Sequence, residues 1–294
     1  MSGTLTHTTA SEIRRLFAER GLRPKKSLGQ NFLVDRNLLR ILADAAEVAS
    51  GDAVLEIGAG TGSLTEVLAA RACCVIAVEI DEQLCEIARQ SLASLPNVRL
   101  ICANILSGRE CLNPEVLEVI RGAGERPLRV VGDLPYSIST PLLTALLTAS
   151  LEIKVMVVTV QAEVAERIIA RPGTKAYGFL SVQAQLIATV ELVRRLPPQV
   201  FWPRPQVWSS VVRLRPKPER EAVLKVLPGV RRVAAALFQQ RRKDAANALA
   251  HAGLANSRQA AEKVLMAAGL RPDAKADAVS PEQVQRIASL LGLD

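Results

Sequence analysis

From residue 53 the chain alternates short apolar runs with longer segments of helical periodicity, and this alternation restricts its fold more than any other feature. Apolar runs recur at 53–57, 74–80, 98–102, 128–131 and 155–160, with helical patterns at 62–70, 81–93, 113–121, 139–149 and 161–170. Strand then helix, repeated, requires right-handed crossovers and a parallel sheet covered on both faces. The pattern then changes. Runs at 189–196 and 208–214 are joined only by a proline-rich loop, which predicts an antiparallel pair closing the sheet edge. A sheet buried on both sides needs a large apolar complement, and 49% of the 294 residues supply it.

On either side of this block the organisation differs. Residues 1–10 are polar and Thr-rich, with no signal-peptide core, and are expected to lack order. Ser11 is expected to cap a short helix ending at Gly21. A basic stretch from Arg23 to Leu33 follows, and Asp35 caps an amphipathic helix carrying Leu38, Leu39, Ile41, Leu42 and Ala45. Pro216-Lys217-Pro218 reads as a linker. Beyond it lie Ala- and Leu-rich helical patterns at 229–240, 243–251, 257–268 and 281–291. The expected domains are a tail and short helix over 1–22, an α/β domain over 23–216, and a small all-helical domain over 217–294.

Net charge is +8 with a pI of about 9.6, which points to a polyanionic partner. Basic clusters gather before the α/β block (Arg23, Lys25, Lys26) and in the C-terminal third (Arg194, Arg195, Arg213, Arg215, Lys217, Arg231, Arg232, Arg241, Arg242, Lys243). The second group suggests an RNA platform recognising shape and an unpaired base. Cys73, Cys74, Cys85, Cys102 and Cys111 show no CxxC spacing, and His7 and His251 cannot complete a usual zinc site. No metal is expected, and the thiols read as reduced, in a cytoplasmic protein. No run of 18 uncharged apolar residues predicts a membrane span.

Glu56-Ile57-Gly58-Ala59-Gly60-Thr61-Gly62 follows a strand and opens a helix. Glycines allow the tight turn and close approach to a ligand. The spacing is GxGxG, whereas dinucleotide folds use GxGxxG. Glu79 ends the next strand, where a carboxylate can accept from both ribose hydroxyls of a nucleoside. A nicotinamide-dinucleotide fold or a plain tight turn remains open, but Glu56 and Glu79 together favour S-adenosylmethionine. Asn104 ends the third strand, placed either to meet an adenine or to form a turn.

Asp133-Leu134-Pro135-Tyr136, after the fourth strand, matches what amine methylation requires. The N6 lone pair of adenine is delocalised into the ring. Acceptors on its hydrogens localise that pair and stabilise the charge developing during attack on a sulfonium methyl. Asp133 would give one acceptor and the carbonyl of Leu134 or Pro135 the other. Pro135 stiffens the loop, and Tyr136 offers a face for the base.

With these residues in view, the chain resembles the small-subunit ribosomal RNA adenine N6-dimethyltransferases. The likeness runs from Lys25 to about Leu249. It includes Lys26 to Leu33, Glu56 to Gly62, Val78 to Asp81, Leu134-Pro135-Tyr136 with Ile138 to Pro141, and Gln161 to Arg167. Lys175 to Gly178, Leu180 to Val182, the hairpin residues from Phe201 to Val212, and Gln240 to Lys243 with Asn247 extend it. The resemblance implies a Rossmann-like class I methyltransferase sheet and dimethylation of two adjacent adenosines in a hairpin loop near the RNA 3′ end. It implies action on a late pre-ribosomal particle, by a monomer. It implies cofactor contacts by Asn31, Leu33, Gly58, Gly60, Glu79, Asn104 and Asp133. Phe201 would form a second wall of the base slot opposite Tyr136, although an apolar anchor for the hairpin loop is the alternative.

Three positions depart from the family. Asp133 and Asn104 stand where the family usually has Asn and Asp, an exchange that would keep one negative charge in the pocket. Trp208 stands where an acid is common. A catalytically weakened RNA-binding assembly factor and a large-subunit RNA adenine methyltransferase are the competing readings; an NAD-dependent oxidoreductase leaves the tetrapeptide unexplained.

Overall fold

The computed structural model describes residues 9–239, 241 and 243–293. The expected lack of order over residues 1–8, and the parts of the basic motif at Gln240 and Arg242, lie outside the described residues. The chain forms two compact units, Met1–Ala162 with Glu191–Arg215, and Glu163–Val190 with Pro216–Asp294. The sequence suggested boundaries near 22 and 216; by packing, the described residues before 23 group with the α/β block and the stretch from Glu163 to Val190 groups with the C-terminal helices.

The first unit begins with helix α1 (Ala10–Glu19). Its cap is Thr9, not Ser11: Thr9 and Glu12 form a reciprocal capping box that satisfies two terminal amides. Strand β1 (Phe32–Leu33) and helix α2 (Arg36–Ala45) follow, with Asp35 capping α2 as expected. Then come β2 (Ala53–Ile57), α3 (Ser63–Ala69), β3 (Cys74–Glu79), α4 (Glu82–Ser91), β4 (Val98–Cys102) and α5 (Pro114–Gly122). The alternation continues through β5 (Leu128–Asp133), α6 (Ser139–Thr148) and β6 (Ile153–Gln161). Strands β7 (Ala188–Leu196), β8 (Phe201–Trp202) and β9 (Ser209–Pro216) complete the order.

Seven strands form one sheet in the order β4-β3-β2-β5-β6-β9-β7, and β1 pairs separately with β8. The pairs from β4 to β6 are parallel, whereas β9 runs antiparallel to β6 with Val158 opposite Val212. The five residues of β2 are all buried, as a strand covered on both faces requires. After β2 the chain builds outward through β3 and β4, then returns to lay β5 on the other side of β2. A crevice forms at such a reversal, beyond the carboxyl ends of the strands. The glycine loop leaves β2 there, and the tetrapeptide leaves β5.

The second unit contains α7 (Ala162–Ile169), α8 (Phe179–Ile187), α9 (Arg220–Gln239), α10 (Ala245–His251), α11 (Arg258–Ala267) and α12 (Pro281–Leu290). Helix α9 starts well before the expected residue 229 because it runs through Pro228. The Pro-Gly pair reads locally as a break, yet Gly229 serves packing: a Cβ there would lie 2.1 Å from the Leu293 carbonyl oxygen. Helix α8 was not foreseen. Within this unit Tyr177 is buried and its hydroxyl donates to the Val279 carbonyl at 2.8 Å. Arg241 donates to the carbonyls of Thr174 and Lys175.

One expectation about the thiols is corrected. Cys85 of α4 and Cys102 of β4 are joined as a disulfide, with Cα atoms 6.0 Å apart. Their spacing matches no motif; α4 packing on β4 brings them together.

Candidate cofactor and base site

An open cleft of about 1080 Å³, mouth included, lies at the reversal in the sheet. Asn31, Leu33, Gly58, Gly60, Glu79, Asn104, Asp133, Leu134, Pro135 and Tyr136 all line it, so the structure gathers every expected site residue but one. Gly58 and Gly60 have φ of +82° and +57°, conformations that glycine alone adopts without strain. A Cβ on Gly58 would contact the Asp133 carbonyl, so the two loops approach each other across the cleft.

Glu79 is almost fully buried and held by the backbone. One carboxylate oxygen accepts from Gly60 N–H at 2.8 Å, and the other from Ile80 and Asp81 N–H at 3.0 and 2.9 Å. Burial raises its pKa, and these amide donors oppose the rise. Three of its roughly four lone-pair sites are thereby occupied, and the oxygen that accepts only from Gly60 keeps room for a ribose hydroxyl. Glu56, which precedes the glycine loop, is fully buried, and that burial pushes its pKa up to about 8 against the opposing pull of the Thr65 side chain. The side-chain oxygen of Asn104 accepts from Leu106 N–H at 3.1 Å, the turn considered for it, and the residue also lines the cleft.

Asp133 differs from Glu79. Among the described residues no hydrogen bond reaches its carboxylate, and burial alone pushes its pKa up to about 8. Leu134 N–H donates to the Thr159 carbonyl, and the Pro135 carbonyl accepts from Ile138 N–H. The second occupied carbonyl leaves that of Leu134 as the better acceptor for an incoming amine. The Tyr136 hydroxyl lies 2.6 Å from Ser209 Oγ, which fixes the ring; burial raises its pKa to about 12.

Phe201 is the exception and is corrected. It does not line the cleft. It pairs with Leu33 across β1 and β8 and is 3% exposed within an apolar cluster that includes Leu39 and Leu42. In this arrangement it is the apolar anchor and not a wall of the base slot.

Other residues support the site without having been assigned to it from sequence. Lys25 Nζ and Gln30 Nε2 donate to the two oxygens of Asp81 at 2.8 and 2.7 Å, tying the N-terminal loop to the end of β3. Gly132 must lack a side chain because a Cβ would lie 2.7 Å from the Ile57 carbonyl oxygen. A glycine immediately before the tetrapeptide was the available signal. The basic platform is thinner than charge counting suggested. Arg213 and Arg215 pair with Glu191 and Glu47, and Arg241 pairs with Asp277. Among the described residues no helix is long and apolar enough to cross a membrane, and no cluster of acids, thiols and imidazoles suits a metal.

A sheet of this topology, with a glycine loop after β2, a buried acid ending β3 and a Pro-aromatic loop after β5 at one cleft, is that of an S-adenosylmethionine-dependent methyltransferase. The comparisons narrow the class. The family pattern described as ribosomal RNA adenine dimethylase matches residues 21–292, and the chain belongs to this family. It is therefore an rRNA-modifying enzyme. It is 42% identical over 286 residues to "Ribosomal RNA small subunit methyltransferase A" of Moorella thermoacetica, covering 96% of this chain and 98% of that protein. It is 38% identical over 287 residues to the protein of the same name from Shouchella clausii, covering 96% and 95%. Among solved structures, a dimethyladenosine transferase from Plasmodium falciparum shares the fold, with a TM-score of 0.70, 23% identity, and coverage of 86% and 94%. The 23S rRNA methyltransferase ErmE aligns with a TM-score of 0.65 at 28% identity, covering 89% of this chain and 99% of ErmE.

Proposed function

We propose that this enzyme dimethylates the N6 amines of two adjacent adenosines in a hairpin loop near the 3′ end of small-subunit rRNA, within a late pre-ribosomal particle in the cytoplasm, acting as a monomer. The observation that carries the chemistry is the Asp133 carboxylate, recessed beside the glycine cradle with no hydrogen-bond partner among the described residues. Choice of the small subunit is supported by relatives at 38–42% identity that carry that name.

S-Adenosylmethionine, when bound, supplies an electrophilic sulfonium methyl. Glu79 would accept from a ribose hydroxyl, Gly58 and Gly60 would admit the cofactor close to the backbone, and Asn31, Leu33 and Asn104 would bound its pocket. Asp133 and the Leu134 carbonyl accept the two hydrogens of the adenine amine and direct its lone pair along the line of attack. Tyr136, steadied by Ser209, stacks on the base. An unpaired adenine in a loop enters at lower cost than one in a duplex. Exposed Arg23, Lys26, Arg194, Arg232 and Lys243 supply candidate phosphate contacts.

The test incubates the protein with labelled S-adenosylmethionine and immature small subunits lacking the modification, then maps the label. Two dimethylated neighbouring adenines near the 3′ end support the reading. Label on large-subunit RNA, or cofactor binding without transfer, overturns it.

A further inference from the structure

We propose that Cys85 and Cys102 form a reversible redox site, oxidised by hydroperoxides and coupled to cofactor binding. The two sulfurs have the unequal environments of an attacking and a resolving thiol. Cys102 is exposed at the end of β4, and Nη2 of Arg89 stands 3.7 Å from its sulfur. That guanidinium, which also pairs with Glu86, puts a cation against the Cys102 sulfur and leaves Cys85 without one among the described residues. Cys85 is 1% exposed on α4, with the Cα atoms 6.0 Å apart, inside the range a disulfide spans. Cys73, Cys74 and Cys111 are unpaired.

The chemistry balances. The Cys102 thiolate attacks one oxygen of a hydroperoxide, the O–O bond breaks, and the departing oxygen leaves as alcohol or water after taking a proton. The resulting sulfenic acid is attacked by Cys85, forming the S–S bond and releasing water. Two thiols lose two electrons in total and the peroxide gains them. A small-molecule dithiol reverses the step by exchange.

The coupling to the cleft is structural. Ala103 and Asn104, directly after Cys102, line the cleft, as does Leu84, directly before Cys85. Ala103 N–H donates to the Glu79 carbonyl, and Cys85 Sγ lies 3.5 Å from the same oxygen. The bond therefore holds the β4 end of the cleft against α4, and the oxidised form binds S-adenosylmethionine more tightly through preorganisation.

The full-length protein is reduced with a phosphine, treated with stoichiometric hydrogen peroxide, and followed by intact mass, peptide mapping and calorimetry with S-adenosylmethionine. Oxidation removes about 2 Da, yields a Cys85–Cys102 cross-linked peptide and lowers the cofactor Kd by about three- to tenfold; dithiothreitol restores the reduced values. Cys102→Ser at the exposed position, and independently Cys85→Ala, abolish both the cross-link and the difference in Kd, whereas Cys73→Ser and Cys111→Ser retain them. Alkylation of both Cys85 and Cys102 after peroxide treatment, or equal Kd for the two forms, overturns the proposal.

Independently, the geometry points to Trp208 as a stacking face for the unpaired base beside the target adenine, an inference that rests on the rRNA reading above. Trp208 is 53% exposed, whereas the other tryptophan, Trp202, packs against Phe17 and Phe32. Its backbone is held, with its carbonyl accepting from Ala162 N–H at 2.9 Å. The next residue, Ser209, bonds Tyr136. In Trp208→Ala, the Kd for an adenine-bearing RNA hairpin and the KM for small subunits rise about ten- to a hundredfold, while kcat and cofactor Kd stay level, and Trp208→Phe recovers most of the loss. Unchanged RNA affinity overturns the inference. Weakened hairpin binding in a protein whose wild type transfers no methyl group keeps the stacking role and overturns the rRNA activity instead.

Discussion

Glu79 at the end of β3 and Asp133 at the end of β5 face the same cleft from opposite sides of β2, and the fold treats their carboxylates differently. Glu79 accepts three backbone N–H groups, from Gly60, Ile80 and Asp81, which hold it in one position before any ligand arrives. Asp133 accepts none among the described residues. Burial raises the pKa of both, but only at Glu79 do backbone donors oppose it. The difference matches two tasks. A receptor for ribose hydroxyls gains from fixed geometry, whereas an acceptor for a reacting amine needs its capacity kept for the substrate.

Removing the free acceptor should have the larger effect on turnover. Asp133→Ala lowers kcat about 100- to 1000-fold while changing cofactor affinity far less, measured by methyl transfer beside calorimetry. Glu79→Ala reverses that profile: cofactor Kd rises about ten- to a hundredfold, and the melting temperature falls because three amides lose their acceptor. A large kcat loss at Glu79 with intact affinity would break the contrast. The exchange of acid and amide sharpens it further. Asp133→Asn alone lowers kcat about tenfold or more, and adding Asn104→Asp recovers most of it; additive losses would show the positions independent.

The smallest effect is on pH dependence. In the free protein Asp133 is protonated below about pH 8, so kcat/KM rises with pH toward that value, and Asp133→Asn flattens the profile. Stability moves the opposite way. Glu56 and Asp133 hold protons in the folded state that the unfolded chain, with ordinary values of 4.5 and 3.8, has already released. Their contribution is fully present below those ordinary values and is lost as pH rises through the folded values near 8. Denaturant titrations of wild type and Glu56→Gln across this window check the sign: the variant loses part of the decline.

Much of the site was readable because its parts are local in the chain. The glycine loop, Glu79 and Asp133-Leu134-Pro135-Tyr136 each follow a strand in an α/β alternation, and that alternation places all three at one edge of the sheet. Phe201 was misassigned for the opposite reason. Its exposure depends on β1 pairing with β8, a contact between segments far apart in sequence. The tether from Lys25 and Gln30 to Asp81 spans 56 and 51 residues, and the Tyr136–Ser209 bond spans 73. Nothing in residue type alone announces such pairs. Helix α9 shows a local signal overridden: it continues through Pro228-Gly229, and the Leu293 backbone packs where a Gly229 side chain would stand.

Residue type and spacing were enough to determine the strand-helix alternation and the placing of the glycine loop and the tetrapeptide at one cleft, because backbone periodicity and glycine conformation act over a few residues. Only the folded chain decided that Glu79 is held and Asp133 left free, that Phe201 is an anchor, and that Cys85 meets Cys102. Those outcomes depend on strand register and helix packing, which set the partners available to a side chain after distant segments have come together.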